Sequence, residues 1–444
     1  MGANDFRMDN HWLPFTSNRN FRQDPRVLVK ADGMTFTTHD GKEVLDGISS
    51  LWCVGLGHNR KPINEAIKRQ LDTLDYATAF QVCNDQAFMA AEVIADMAPG
   101  DLNKVLFCNS GSEAADTSLK VALAYHRARG EGHRNVFIGR EKGYHGVGFG
   151  GMSVGGIPAN RKVYGTALLP RVDHMRFIHD QVNHAFVHNE EPVWAEDPLL
   201  ELEQRILPLH DPSNVAAIIV EPIAGSAGWY VPPKGYLKRL REICDKHGIL
   251  LIFDEVITGF GRLGTNFAAD YYGVVPDMLN FAKCVTNGVI PLGGVICRDK
   301  LYDAMMKTDA PDHAVEFFHG YTYSGHPVAC AAALATLKLV KQENLYARAA
   351  EMGQLLGDAV HAEAKGLPSV LSIRSLGLAA AIDVAPLPGA PGKRAFDIFT
   401  DCYRKGVLVR PAADTLVLAP PFIVERAQIE TLVSVLTDSI RAHA

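Results

Sequence analysis

Two continuous apolar runs, Val215–Val220 and Ile249–Phe253, constrain this chain's fold more than any other feature of it. A strand with one wet face alternates polar and apolar residues. A strand that is apolar at every position needs cover on both faces. Between the two runs, Tyr236–His247 has helical periodicity, and strand, helix, strand in that order makes a parallel crossover. The alternation begins earlier: Lys104–Cys108 reads as a short strand, Gly111–Arg129 as a helix, and Asn135–Gly139 as a strand followed by a glycine-rich loop. The pattern predicts an α/β fold whose large, mainly parallel central sheet is flanked by helices.

The ends of the chain read differently. Val27–Gly47 suggests short strands around the turns Ala31-Asp32-Gly33 and His39-Asp40-Gly41, with helices over Pro62–Leu74 and Asp85–Met97. After about Gly325 come two long helical segments, short strands at Val370–Ser375, Ala379–Val384 and Val407–Arg410, and a closing helix over Val424–Arg441. We therefore expect a large domain over residues 61–325 and a smaller α+β domain over 326–444, joined by the N-terminal segment 1–60.

Composition narrows the partners. Fifty acidic residues against 44 Lys and Arg give a net charge of −6, so no strongly basic surface points to nucleic acid. The longest apolar runs, Gly248–Phe253 and Ala329–Ala335, fall far short of the ~20 residues of a membrane span. The opening Met-Gly-Ala-Asn-Asp-Phe lacks the basic start and apolar stretch of a secretory signal, and Phe6 stands where myristoylation wants Ser or Thr. These features predict a cytoplasmic protein. Eight scattered cysteines without a CxxC pair disfavour zinc ribbons and disulfide frameworks. His174, His179, His184 and His188 lack an HExxH context, so loop or interface roles outweigh a metal site, and no metal is expected.

Three short segments carry chemistry. Asn109-Ser110-Gly111-Ser112-Glu113 joins a strand to a helix, and such a junction either cradles a phosphate or simply caps the helix. Asp254 ends the Ile249–Phe253 run, the place where open α/β sheets bind ligands. Lys283 ends the apolar run after Pro276, where a lysine either snorkels to water or becomes a desolvated amine. Taken together, a phosphate cradle, a buried acid and a strand-end lysine are what pyridoxal phosphate requires. The amine forms a Schiff base with the aldehyde, the carboxylate stabilises a protonated pyridine nitrogen, and the helix N-terminus holds the phosphate.

The string Asp254-Glu255-Val256-Ile257-Thr258-Gly259-Phe260-Gly261-Arg262, with Lys283 beyond it, resembles the signature of class III, fold-type I aminotransferases, over essentially the whole chain from Trp12 to about Pro421. The resemblance implies that 61–325 is the cofactor-binding domain, that Lys283 and Asp254 are catalytic, and that Val256 and Tyr144 of Gly143-Tyr144-His145-Gly146 sandwich the ring. It places Ser110, Gly111 and Ser112 at the phosphate, His145 beside the cofactor, and Glu221 of Val220-Glu221-Pro222 on its O3′ side. Thr322 would reach over from a partner subunit, which implies an obligate homodimer with shared active sites and allows pairing into a tetramer.

Within that family, Trp12-Leu13-Pro14-Phe15-Thr16, Leu51-Trp52-Cys53 and the Ser110–Lys120 string are most similar to β-alanine:pyruvate aminotransferases and related ω-transaminases. That likeness puts Trp52, Phe80 and Tyr144 in the substrate pocket and Arg410 on the substrate carboxylate, which a planar guanidinium can grip with two bonds. Amino donor and pyruvate would be the small-molecule partners. Two positions depart from the pattern: Cys284 follows the lysine where glycine is common, and Val417 stands where glutamine is expected, leaving room for donors other than β-alanine.

Other functions are weaker. Gly259-Phe-Gly261-Arg-Leu-Gly264 is a literal GxGxxG, but some five residues separate it from the strand and no suitable helix follows, which argues against an NAD-dependent dehydrogenase. Gly146-Val-Gly148-Phe-Gly150-Gly151 lacks the spacing and reads as a loop or turn. A diaminopelargonate-type aminotransferase, an aminomutase or a decarboxylase would share the cofactor scaffold, since fold and cofactor do not determine the reaction. A noncatalytic scaffold is opposed by Lys283.

Overall fold

In the computed structural model, which describes residues 7–180, 184–307 and 311–444, both apolar runs are strands of one seven-stranded sheet. Phe6, invoked above, lies outside the described residues. Three strands precede this sheet in the chain: β1 (Leu28–Asp32), β2 (Thr35–Thr38) and β3 (Glu43–Asp46). The sheet itself is built from β4 (Leu102–Cys108), β5 (Val136–Arg140), β6 (Val172–Met175), β8 (Val215–Val220), β9 (Leu250–Asp254), β10 (Met278–Phe281) and β11 (Gly293–Arg298), in the order β4-β11-β10-β9-β8-β5-β6. Five of these strands pair in parallel from β10 to β6, and β11 runs antiparallel to both of its neighbours. Every residue of β8 and β9 is buried, as a doubly covered strand requires. One face packs on the helix Gly111–Ala128 and the other on the larger core that includes the helix Tyr236–His247.

The remaining strands form two smaller sheets. β12 (Val370–Ser375), β13 (Ala380–Val384), β15 (Arg410–Ala412) and β16 (Thr415–Leu418) take in β7 (Phe186–His188), in the order β15-β16-β13-β12-β7. The pair β14 (Val407–Leu408) and β3 is parallel and completes a sheet β1-β2-β3-β14. The single strand expected over Val407–Arg410 is therefore two strands, in different sheets. The chain changes sheets at Val409, which lets Arg410 leave the N-terminal sheet and pair with Val417. β7 was not anticipated: three residues carry no period, and its partner Ile373–Ser375 lies far along the chain.

No helix among the described residues is long and apolar enough to cross a membrane.

Candidate active site

Parallel strands all end at one edge of their sheet, and the loops leaving that edge build the site. Asn109 follows β4, Tyr144 lies just beyond β5, Glu221 follows β8, Asp254 ends β9, and Lys283 comes two residues after β10. The turn from Lys283 to Gly293 returns the chain into antiparallel β11 along the same edge. These loops enclose a cavity of about 320 Å³, lined among others by Ser110, Gly111, Ser112, Tyr144, Glu221, Asp254, Val256 and Lys283.

One wall is the N-terminus of the helix Gly111–Ala128. Ser110 is its N-cap, and the serine Oγ accepts the Glu113 N–H at 3.2 Å, so capping and cradling coexist here. Glu113 reaches back to accept the Asn109 N–H at 2.7 Å, which steadies the approach to the helix. Gly111 is there for close packing: an added Cβ would stand 2.8 Å from both methyls of Val256. Ser112 Oγ accepts the Val147 N–H at 3.1 Å, tying the glycine-rich loop to the same helix end. Part of that loop, Phe149–Val154, is a short helix rather than a turn.

The opposite wall holds the charges. Asp254 and His145 are both buried, and His145 Nδ1 lies 2.8 Å from Asp254 Oδ2. The Val256 N–H donates to Asp254 Oδ1 at 3.2 Å, leaving the carboxylate fixed from two sides. His145 Nε2 is buried without a hydrogen-bond partner among the described residues, and the residue is not part of the cavity lining. Glu221 accepts the N–H groups of Tyr144 at 2.9 Å and Gly225 at 3.1 Å, so it anchors the loop that carries Tyr144. Burial pushes the Glu221 carboxyl up from its ordinary value.

Lys283 is the amine of the site. Burial lowers its pKa, and the nearby Cys53 and Asp254 only partly oppose that effect. Its backbone sits at φ +53°, a left-handed conformation that costs a non-glycine residue about 1–2 kcal/mol. Such strain persists where surrounding structure over-determines the chain, and it clusters at functional positions.

Arg410 is outside the cavity lining but within electrostatic reach of Lys283 and Tyr144. Burial lowers its pKa, and its Nε has no hydrogen-bond partner among the described residues. Val417 is its partner across the β15–β16 pair, so an apolar side chain shares its face. Trp52 also lies outside the lining. It is buried and stacked on Trp229, with ring centroids 5.2 Å apart. Phe80 is exposed on this chain, and the Thr322 carbonyl accepts the Tyr76 hydroxyl at 2.8 Å, away from the chain's own cavity.

Asn109, Gly146 and Ala282 also line the cavity, as do Cys53, Ser226, Ile257 and the turn residues Thr286, Gly288, Ile290, Pro291 and Leu292, which were not singled out from the sequence. For the turn, the available signal was Asn287-Gly288 directly after a strand-end lysine. The segment Gly259–Gly264 is a buried turn away from the helix N-terminus, with Gly261 at φ +111°, and it offers no dinucleotide site. The four histidines weighed above make separate contacts: His174 with the Gly155 carbonyl, His184 with that of Val193, His188 with Asp358, and His179 against the Tyr230 ring. Cys284 is buried, its sulfur beside Gly55.

The architecture and the site together define a fold-type I transaminase. Residues 16–440 match the family described as aminotransferase class-III, and the chain belongs to that family. It is 50% identical to an omega-aminotransferase of Caulobacter vibrioides over 98% of this chain and 97% of the relative. It is 47% identical to a beta-alanine–pyruvate aminotransferase of Pseudomonas aeruginosa, over 100% and 98% of the two chains. Among solved structures, an amine transaminase from an uncultivated Pseudomonas species in its PLP-bound form superposes with a TM-score of 0.89 at 35% identity, covering 99% of this chain and 100% of that one.

Proposed function

We propose that this chain is a pyridoxal-phosphate-dependent aminotransferase that moves the amino group of a β-alanine-like ω-amino acid, or of a primary amine, to pyruvate, releasing an aldehyde or oxo acid and then alanine. One observation carries the reading: the half-buried amine of Lys283 shares a cavity with the fixed carboxylate of Asp254 and a helix N-terminus. Relatives bearing those activities at 47–50% identity support the choice of substrates.

The residues present fit the cofactor. The helix N-terminus at Gly111 and Ser112, with Ser110 beside it, suits a phosphate. Asp254, held by His145, suits a protonated ring nitrogen, and Val256 and Tyr144 offer two faces between which a ring can lie. When bound, pyridoxal phosphate supplies an electron-withdrawing ring that spreads the electrons left when a C–H bond on the amine's carbon breaks.

The chain's own groups do the rest. Burial shifts Lys283 towards its neutral form, the form in which Nζ can take the proton from the donor carbon and hand it on. Glu221 holds the Tyr144 loop closed over the site. Arg410 binds the carboxylate of pyruvate, and the apolar Val417 beside it admits amines that carry none. Trp52 backs the pocket from behind its lining, and Phe80, exposed on this chain, borders the substrate pocket of the assembled dimer. Thr322 serves the site of the other subunit, so the working unit is a homodimer, and such dimers can pair into a tetramer.

Purified protein given β-alanine and pyruvate should form alanine and 3-oxopropanoate in equal amounts. Alanine without the oxo acid, or neither product with any amine offered, would overturn the reading.

A further inference from the structure

Arg262 is a guanidinium buried to 2% exposure, with no acid bonded to it among the described residues. Its Nη1 donates to the Leu378 carbonyl at 2.9 Å and to the Pro420 carbonyl at 2.8 Å, and its Nη2 donates to Ser49 Oγ at 3.0 Å. Its charge lies over the rings of Phe422 and Trp52, 4.9 and 5.7 Å from their centroids. One side chain thus fastens three segments: the turn after β9, the ends of the strands around β13 and β16, and the N-terminal stretch at Ser49.

That stretch is held in a conformation it would not choose. Ser49, Ser50 and Trp52 have φ of +50°, +60° and +65°, three left-handed non-glycine residues in four positions. Each costs on the order of 1–2 kcal/mol, so neighbouring bonds must impose the shape. Buried Asp46 does so from below, accepting the N–H groups of Ile48 at 3.0 Å and Ser50 at 2.7 Å. Ser49 does so from above, donating to the Ala419 carbonyl at 2.8 Å while receiving Arg262. The next residue along is Cys53, whose side chain lines the cavity with Lys283.

We infer that Arg262 is a positioning residue for substrate binding: its fork on Ser49, Leu378 and Pro420 holds the strained turn that sets Cys53 against the cavity, with Trp52 packed behind it on Trp229. The bonds reach the reacting groups only through that turn. The effect therefore falls on how the amine is seated more than on the proton transfer at Lys283.

The test uses the full-length enzyme loaded with cofactor, comparing wild type with Arg262→Gln, Arg262→Lys and Ser49→Ala. The kinetic arm rests on the reaction proposed above. A charge-assisted hydrogen bond is worth about tenfold in an equilibrium, so Arg262→Gln should raise KM for β-alanine about tenfold while kcat stays within about threefold. Arg262→Lys keeps the charge without the fork and should fall between the two. The second arm needs no turnover: alkylation of Cys53 by iodoacetamide, mapped by mass spectrometry, with exposed Cys83 of the same chain as internal reference. Arg262→Gln should change the Cys53 rate several-fold relative to Cys83, and Ser49→Ala should shift it the same way by less. A lower melting temperature with Cys53 labelling and the KM-to-kcat pattern both unchanged would show that Arg262 only holds the fold. If Arg262→Gln does not fold, Ser49→Ala decides by the same two readouts. If wild type proves not to transaminate, labelling alone decides.

Discussion

Replacing Lys283 with Met should abolish turnover and yet make the cofactor-free protein more stable. The folded chain keeps this amine half-buried in the cavity wall, and burying a polar group without full compensation costs about 1–3 kcal/mol. Methionine has nearly the same length and no charge, and the backbone strain at φ +53° is the same in both proteins. The desolvation cost disappears together with the smaller attraction to Cys53 and Asp254 that partly offset it, and the cost is the larger of the two. For a chain of 444 residues, each kcal/mol moves the melting midpoint by about 1 °C, so the variant should melt about 1–3 °C higher. The pH dependence has a definite sign. The lysine's folded pKa lies below its ordinary 10.5, so between those two values the unfolded chain binds the extra proton and wild-type stability rises with pH. The gap between variant and wild type is therefore widest below the folded pKa and closes as pH approaches 10.5. Differential scanning calorimetry of both proteins, stripped of pyridoxal phosphate, measures this directly. A variant that melts at or below wild type at neutral pH, or a gap that does not narrow with rising pH, would refute the claim that the amine is held at a cost.

Asp254→Asn replaces a carboxylate with an amide of the same shape and should lower kcat at least about a hundredfold, consistent with loss of a buried charge aimed at the reacting system; a near-normal rate in steady-state assays would remove Asp254 from the electron-sink role. Arg410→Ala should weaken pyruvate use about tenfold or more and affect a carboxylate-free amine donor far less, and equal losses would mean the carboxylate binds elsewhere. Asp383→Ala strips a buried, two-bond partner from Arg374, at 2.7 and 2.8 Å, and should cost about 3–5 kcal/mol, read as a fall in melting midpoint. A fall of under a degree would show that the Arg374 charge does not depend on Asp383 for its compensation.

Legibility followed the physics of each element. β8 and β9 could be read because every side chain faces protein, which leaves an unbroken apolar run. β11 could not: it opens on two glycines, ends in arginine, and its place between β4 and β10 is determined by partners rather than by a local period. Asp254, Lys283 and the Ser110–Ser112 cradle were legible as strand-end and helix-start residues, positions that topology sends to one edge of the sheet. Thr286–Leu292 was not, because the turn joins that edge only once β11 runs antiparallel. Trp52 was named as a pocket residue from the family likeness alone, whereas its place outside the lining, stacked on Trp229, depends on a strained turn held by Arg262 from a distant part of the sequence.

The most direct measurement of the central claim is the visible absorption spectrum of the purified protein as β-alanine and then pyruvate are added. The account predicts a yellow protein whose long-wavelength band disappears with the donor and returns with pyruvate, each half of the exchange visible separately. Protein that stays colourless even after pyridoxal phosphate is supplied would contradict the cofactor assignment, and a yellow band unmoved by any amine would contradict the transfer itself.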